Sequence, residues 1–335
     1  MKRRLIVRQL LATPAILAPW AAWSAPPPKP SGFPVRPLRI VVPFPPGGAA
    51  DILARPLAQQ LSQRIGQPVL IDNKPGANTV IGANHVATSP ADGYTLLMGS
   101  EAGLSLAAEL APITKIEVPY RVDRDFSPIS LLGHYGSLMT INPDVPAKNL
   151  QEYVDYARKN PKKINFASFG LGSQPHIMME TLNQMTGIDT VHLPYKGVAP
   201  ATNDLVAGHV QAMISAPSTP LPHVRDQKLR GLAYSGSKRL PELPNVPTFA
   251  EAGLPSFNPR GWFGLVMASA TPEPIRAWLS ETIWSVVQSS EYQINTILKN
   301  GYEVPTTEPS AMSEFMQEDR HYWKRMVDLV RHRLV

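Results

Sequence analysis

The chain has 335 residues, 43% hydrophobic and 17% charged, enough apolar material for a large core and not a disordered composition. Its 36 prolines exclude a coiled coil or a simple long-helix bundle, and the absence of cysteine excludes a disulfide framework, thiolate metal sites and a cysteine nucleophile. The formal charge is +6, but Lys2, Arg3, Arg4 and Arg8 fall in the first 24 residues, which hold no acid; the remainder carries +6 − 4 = +2, has no basic run and gives no electrostatic support for a nucleic-acid partner.

The N-terminus reads as an export signal. A basic start precedes the mostly apolar run 10–23, and Ala22-Trp23-Ser24 fits a small-x-small cleavage site. The run is shorter than the roughly 20 residues that span a bilayer as a helix. An amphipathic N-terminal helix of a cytosolic protein is the alternative. Arg3-Arg4 leaves the Sec and twin-arginine routes both open, and either places the mature chain in the periplasm. Residues 25–34 are proline-rich and read as a short tether.

The body alternates strands and helices. A β-rich run over 38–44 ends in Pro45-Pro46-Gly47-Gly48 and leads into a helix with Ile52, Leu53, Leu57, Leu61 and Ile65 on one face and Gly66 as its stop. A strand at 69–71, a helix at 79–88 and a strand at 94–98 follow. This β-α-β-α-β order predicts a parallel sheet covered on both faces. Further strands are expected at 129–132, 138–141, 164–168, 191–193, 210–215 and 229–234, with helices at 149–160, 175–185 and 200–207. The last eighty residues read as mainly helical, with helices at 273–288 and 310–329. One doubly wound sheet and two smaller lobes both fit; the size of the mature chain favours two α/β lobes.

Three glycine-rich loops each follow a predicted strand and open a helix: 44–51, 168–173 and 195–200. Ligands of open α/β sheets bind at that end of the strands, and free N–H groups at a helix start hold anions. The expected contacts are backbone donors at Gly47, Gly48, Ala49, Gly172 and Ser173, side chains of Ser100, Ser168, Ser173 and Tyr195, and Phe44 as a wall; Gly170 belongs to the same loops. Asp51 is assigned to its own loop amides, to a ligand amine or to helix capping, and Lys196 either to steering an anion or to the plain surface. No nucleotide-binding glycine pattern or serine-hydrolase elbow occurs, and no cofactor or metal is expected. His176 and Glu180 form a weak metal-type pair, better read as ordinary helix residues. Asp72-Asn73-Lys74-Pro75-Gly76 reads as a turn.

Taken together, 37–48 (PLRIVVPFPPGG) with Asp51, 72–77 (DNKPGA), 92–97 (DGYTLL), 125–129 (DFSPI), 194–197 (PYKG), 243–248 (LPNVPT) and 251–253 (EAG) resemble the Bug (TctC-like) receptors, the solute-binding proteins of the tripartite tricarboxylate transporter family. The resemblance spans nearly all of 33–330. It implies a type II periplasmic-binding-protein fold, with 35–132 plus 235–335 as the first lobe, 133–234 as the second, and crossing strands between them. It implies a non-enzymatic, monomeric receptor that takes a small carboxylate (a dicarboxylate, an acidic amino acid or an aromatic acid) and hands it to the transporter's membrane permease. A same-fold sensor feeding a membrane signalling protein and a cleft hydrolase are the alternatives. The chain departs from the family pattern at Ala50, where a hydroxyl residue is usual, at Ala107-Ala108, and in a long segment 101–121 that brings Glu101 toward the cleft. With Asp51, Glu101 is expected to put two carboxylates near the ligand and to repel a tricarboxylate.

Overall fold

The structure, a computed structural model, describes residues 27–334; the expected signal peptide and the first two residues of the expected tether lie outside the described residues. The strands are β1 (Leu38–Val42), β2 (Val69–Asn73), β3 (Thr95–Ser100), β4 (Phe126–Gly136), β5 (Leu138–Ile141), β6 (Asn165–Ser168), β7 (Val191–Pro194), β8 (Ala212–Ser215), β9 (Arg230–Tyr234) and β10 (Arg260–Ala268). They form two five-stranded sheets, ordered β2-β1-β3-β10-β4 in the first lobe and β7-β6-β8-β5-β9 in the second.

Neither sheet is purely parallel. β1, β2 and β3 pair in parallel, as the alternating pattern predicts, but β10 enters between β3 and β4 antiparallel to both. In the second lobe β6, β7 and β8 are parallel, whereas β5 runs antiparallel to β8 and β9. The antiparallel members are strands that arrive from the other lobe. β10 was not expected: the last eighty residues read as mainly helical, and Gly261 and Gly264 interrupt the apolar run of this strand. Gly264 is needed where it stands, since a methyl there would lie 2.6 Å from Met312 Cε and 3.0 Å from the Ser130 carbonyl.

Each lobe has its own core. The helix Ala49–Ile65 turns Leu53, Leu57 and Leu61, all fully buried, onto Ile40, Leu96 and Leu265. Burial of each such leucine stabilises the lobe by about 2 kcal/mol. The helix stops at Gly66, whose φ of 71° lets its N–H bond the Ser62 carbonyl. In the second lobe Met139, Phe166, Ile177 and Ile214 form the corresponding core.

Two extended passages join the lobes. β4 runs through Ser137 into β5, and the chain returns from β9 to β10 through 235–259. The passages are tied by the Ser235 N–H donating to the Ser137 carbonyl (3.0 Å) and the Ser137 N–H donating to Ser235 Oγ (2.6 Å). The segment 235–335, expected wholly in the first lobe, is divided. Leu240, Leu243 and Val246 pack against Leu138, Leu221 and Tyr234, and Phe249 and Phe257 join the second core. The helix Met312–Val330 spans both: Met312 and Met316 lie in a first-lobe cluster, Trp323, Val327 and Val330 in the second-lobe core. Arg333, just beyond it, donates Nε–H to the buried Glu180 at 2.6 Å. Among the described residues no helix is long and apolar enough to cross a membrane.

Candidate functional site

The two sheets point the carboxyl ends of β1 and β7 at one another across a cavity of about 540 Å³. Helix Ala49–Ile65 begins on one side at Gly48 and helix Val198–Ala207 on the other at Gly197, and neither start carries a side-chain cap. The loops touch: a methyl on Gly48 would sit 3.6 Å from Val198 Cγ1, and one on Gly197 3.3 Å from Pro45 Cγ. Gly48, Ala49, Ala50, Val198 and Ala199 all line the cavity. Two helix N-termini therefore face one cavity from opposite lobes, each with partial positive charge.

The expected residues divide. Phe44, Gly48, Ala49, Ser173, Tyr195 and Lys196 line the cavity. Gly47, Asp51, Ser100, Ser168, Gly170 and Gly172 are outside its lining. Their local hydrogen bonds give the reason. The Gly47 N–H donates to Asp51 Oδ2 (3.0 Å), the Gly172 N–H to His176 Nδ1 (3.0 Å), and the Ser173 N–H to the Gly170 carbonyl (3.1 Å). These amides hold their own loops and are not donors to the cavity. Ser168 Oγ is spent on Gly170 and on His192 Nε2 at 2.5 Å, and Ser100 is buried. Tyr195 faces the cavity, but its hydroxyl donates to Asp204 at 2.7 Å.

Asp51 is a loop brace. Its carboxylate accepts from Arg55 Nε (2.6 Å) and Nη2 (3.0 Å), the Gly47 N–H and Asn73 Nδ2 (3.2 Å). Burial pushes its pKa up, but the Arg55 bonds and the other donors outweigh burial and hold it below the usual aspartate range. The carboxylate is already matched by a guanidinium, so it does not add the repulsion expected of it. His176 and Glu180 are committed elsewhere, to Gly172 and Arg333, and do not form a metal pair.

Several lining residues carried little signal. Glu101 at the end of β3, expected near the cleft, forms part of the wall together with Tyr135 from β4 and Gln174 from the helix Gln174–Thr186. Phe169 and Phe263 add aromatic surface. The turn after β2 also reaches the cavity: Ala77, Asn78 and Thr79 have φ of 46°, 50° and 77°. Left-handed backbone costs non-glycine residues roughly 1–2 kcal/mol each, and no composition cue marks such a run. Thr79 Oγ1 is buried there without a hydrogen-bond partner.

The sequence matches the family described as "Tripartite tricarboxylate transporter family receptor" over residues 53–331. The chain belongs to that family. It is 35% identical to Protein BugT of Bordetella pertussis over 323 residues, covering 96% of this chain and 95% of BugT. Among solved structures, R. palustris Rpa4515 with adipate superposes with a TM-score of 0.83 at 30% identity, covering 89% of this receptor and 98% of Rpa4515. MatC of Rhodopseudomonas palustris with bound malate gives 0.80 at 32%, covering 88% of the receptor and 100% of MatC. The two-lobe binding-protein fold expected from the resemblance is thus the fold of solved relatives, and the family is one of receptors, not enzymes. The receptor has a ligand-binding role.

Proposed function

We propose that this receptor captures a small organic carboxylate in the cavity between its lobes, in the periplasm, and delivers it to the membrane subunits of a tripartite transporter. One observation carries the reading: two helix starts without side-chain caps face each other, from different lobes, across one cavity. The first-turn amides of Ala49 and Ala50 from one side and of Val198 and Ala199 from the other are the proposed carboxylate donors. Charge-assisted hydrogen bonds of roughly 1.5–3 kcal/mol each make a micromolar affinity, about −8 kcal/mol, attainable from a few contacts plus burial. Adipate in Rpa4515 and malate in MatC support the ligand class. The apolar walls from Phe44, Phe169 and Phe263 favour a ligand with a hydrocarbon or aromatic body over a densely charged one.

The test is thermal denaturation of the purified protein against adipate, malate, citrate, aspartate and nicotinate. A bound ligand at a hundredfold excess over its Kd adds about 2.7 kcal/mol of stability. A clear rise in melting temperature with adipate or nicotinate and little with citrate is expected. No rise with any acid overturns the reading. Delivery is tested separately, by uptake of the hit compound in cells with and without the permease.

A further inference from the structure

The cavity wall contains a hydrogen-bond chain whose protons do not balance if Glu101 is ionised. Gln174 donates Nε2–H to the Arg260 carbonyl at 3.3 Å. Its Oε1 is therefore the atom 3.2 Å from the Tyr135 hydroxyl. The same hydroxyl lies 3.1 Å from Glu101 Oε1. A phenol has one proton and here faces two oxygens. The amide oxygen has none to offer, so the second proton belongs to the carboxyl. Reversing the Gln174 amide would balance the count but set its oxygen against the Arg260 carbonyl. In the order that satisfies every atom, Glu101 O–H donates to Tyr135, Tyr135 O–H donates to Gln174, and the Gln174 amide donates to Arg260. The remaining Glu101 oxygen accepts the Trp262 N–H at 3.2 Å. Two of these groups, Glu101 and Tyr135, belong to the first lobe and Gln174 to the second.

The surroundings agree. Glu101 is 3% exposed. The ionisable groups that bear on it are Asp319 from the helix Met312–Val330, Tyr135 from β4, and Tyr302. None is a cation. Lys196, the one cation among the described lining residues, is exposed. Burial, then the nearby Asp319, push the Glu101 pKa up to about 8 against the opposing bonds from Trp262 and Tyr135.

We propose that Glu101 stands in the cleft as an uncharged carboxylic acid and determines this receptor's specificity, offering a carboxylate ligand a polar wall without a negative charge. The inference rests on the reading of the cleft as a carboxylate site. It revises the expected repulsion: Asp51 is matched by Arg55, and Glu101 carries its own proton. It also couples binding to pH. An anion in the cavity disfavours ionised Glu101, so binding favours the protonated receptor, and affinity falls by up to about tenfold per pH unit once Glu101 titrates.

Difference infrared spectroscopy, wild type minus Glu101→Gln, tests the protonation on ligand-free protein at pH 7. The expected result is a protonated-carboxyl carbonyl band present only in the wild type, bleaching as pH passes about 8. Tyr135→Phe, which keeps the carboxyl and removes its acceptor, is expected to shift that band. A spectrum with no such band at pH 7 overturns the proposal, whatever ligand binds. Calorimetry with adipate is the second arm. Affinity that declines above pH 8 in the wild type and stays level in Glu101→Gln supports the specificity role; identical pH profiles overturn that role. Adipate that fails to bind either protein counts against the ligand reading, and the infrared band then decides the state of Glu101 by itself.

Discussion

The indole N–H of Trp262 donates to Asp319 at 2.8 Å, and each residue is 1% exposed. Ser105 adds a second donor to the same carboxylate oxygen at 2.5 Å, while Asp319 Oδ1 has no partner. Burial raises the Asp319 pKa and wins over those donors. A carboxyl with a raised folded pKa binds its proton more readily in the native state, so native stability falls as pH rises between the unfolded and folded values. Asp319→Asn, which keeps an acceptor, should make that decline shallower, leaving the part due to Glu101, and should leave the protein at least as stable at pH 8. Asp319→Ala should lose about 1–3 kcal/mol, because the Trp262 indole is left unpaired. Urea denaturation at several pH values reads both.

The close approach of the two lobes is tested at Gly48. Its φ of −84° suits any residue, so a side chain there does not strain the backbone. The space beyond it is taken by Pro45 and by Val198 of the opposite lobe at 3.6 Å. Gly48→Leu should cost about 1 kcal/mol as a poorer helix cap yet abolish the melting shift given by the best acid of the panel. A retained shift would mean that the lobes need not meet at this point. Gly172→Val is a poorer probe. That residue has φ 72° and its added carbon would press Leu110 and Thr114 at 3.1 Å, so it disturbs the fold itself.

Asp51 contributes through its depressed pKa. Its stabilisation is present above the unfolded aspartate value near 4 and lost as pH falls through the lower folded value. Asp51→Asn should cost about 2 kcal/mol at neutral pH, the scale of a hydrogen bond to a charged group. Its acid-unfolding curve should be flatter than the wild type's below pH 4.

Two histidines give a second acid dependence. His176 and His192 stack with ring centroids 3.8 Å apart, and burial pushes their pKa values down to about 3 and about 4, with His192 adding to the shift at His176. Both are neutral in the native protein but take protons near 6.5 when unfolded. Stability should therefore fall as pH drops from about 6.5 toward 4. His192→Gln, which keeps a nitrogen within reach of Ser168, should flatten that slope; an unchanged slope would place the acid sensitivity elsewhere.

Much of the architecture is legible in the chain because strand, glycine turn and helix recur with clear periodicity. The first helix is an example: Leu53, Leu57, Leu61 and Ile65 recur on one face and are buried together. Strand 260–268 is not legible, since its glycines serve packing, Gly261 against the Tyr135 ring and Gly264 against Ser130 and Met312, contacts distant in sequence. The three glycine loops locate the cleft, but not which amides remain free. Gly47 and Gly172 look like ligand donors until their own loops are closed by Asp51 and His176. Glu101, Tyr135 and Gln174 come from three separate elements, and only the fold brings their oxygens within 3.2 Å.

The helix Met312–Val330 is rooted in the hydrophobic interiors of both halves. Any gaping motion about the paired crossings must therefore either flex this rod or peel one end of it from its bed. The swing is on a leash, and its limit is set by residues far from the mouth through which a ligand enters.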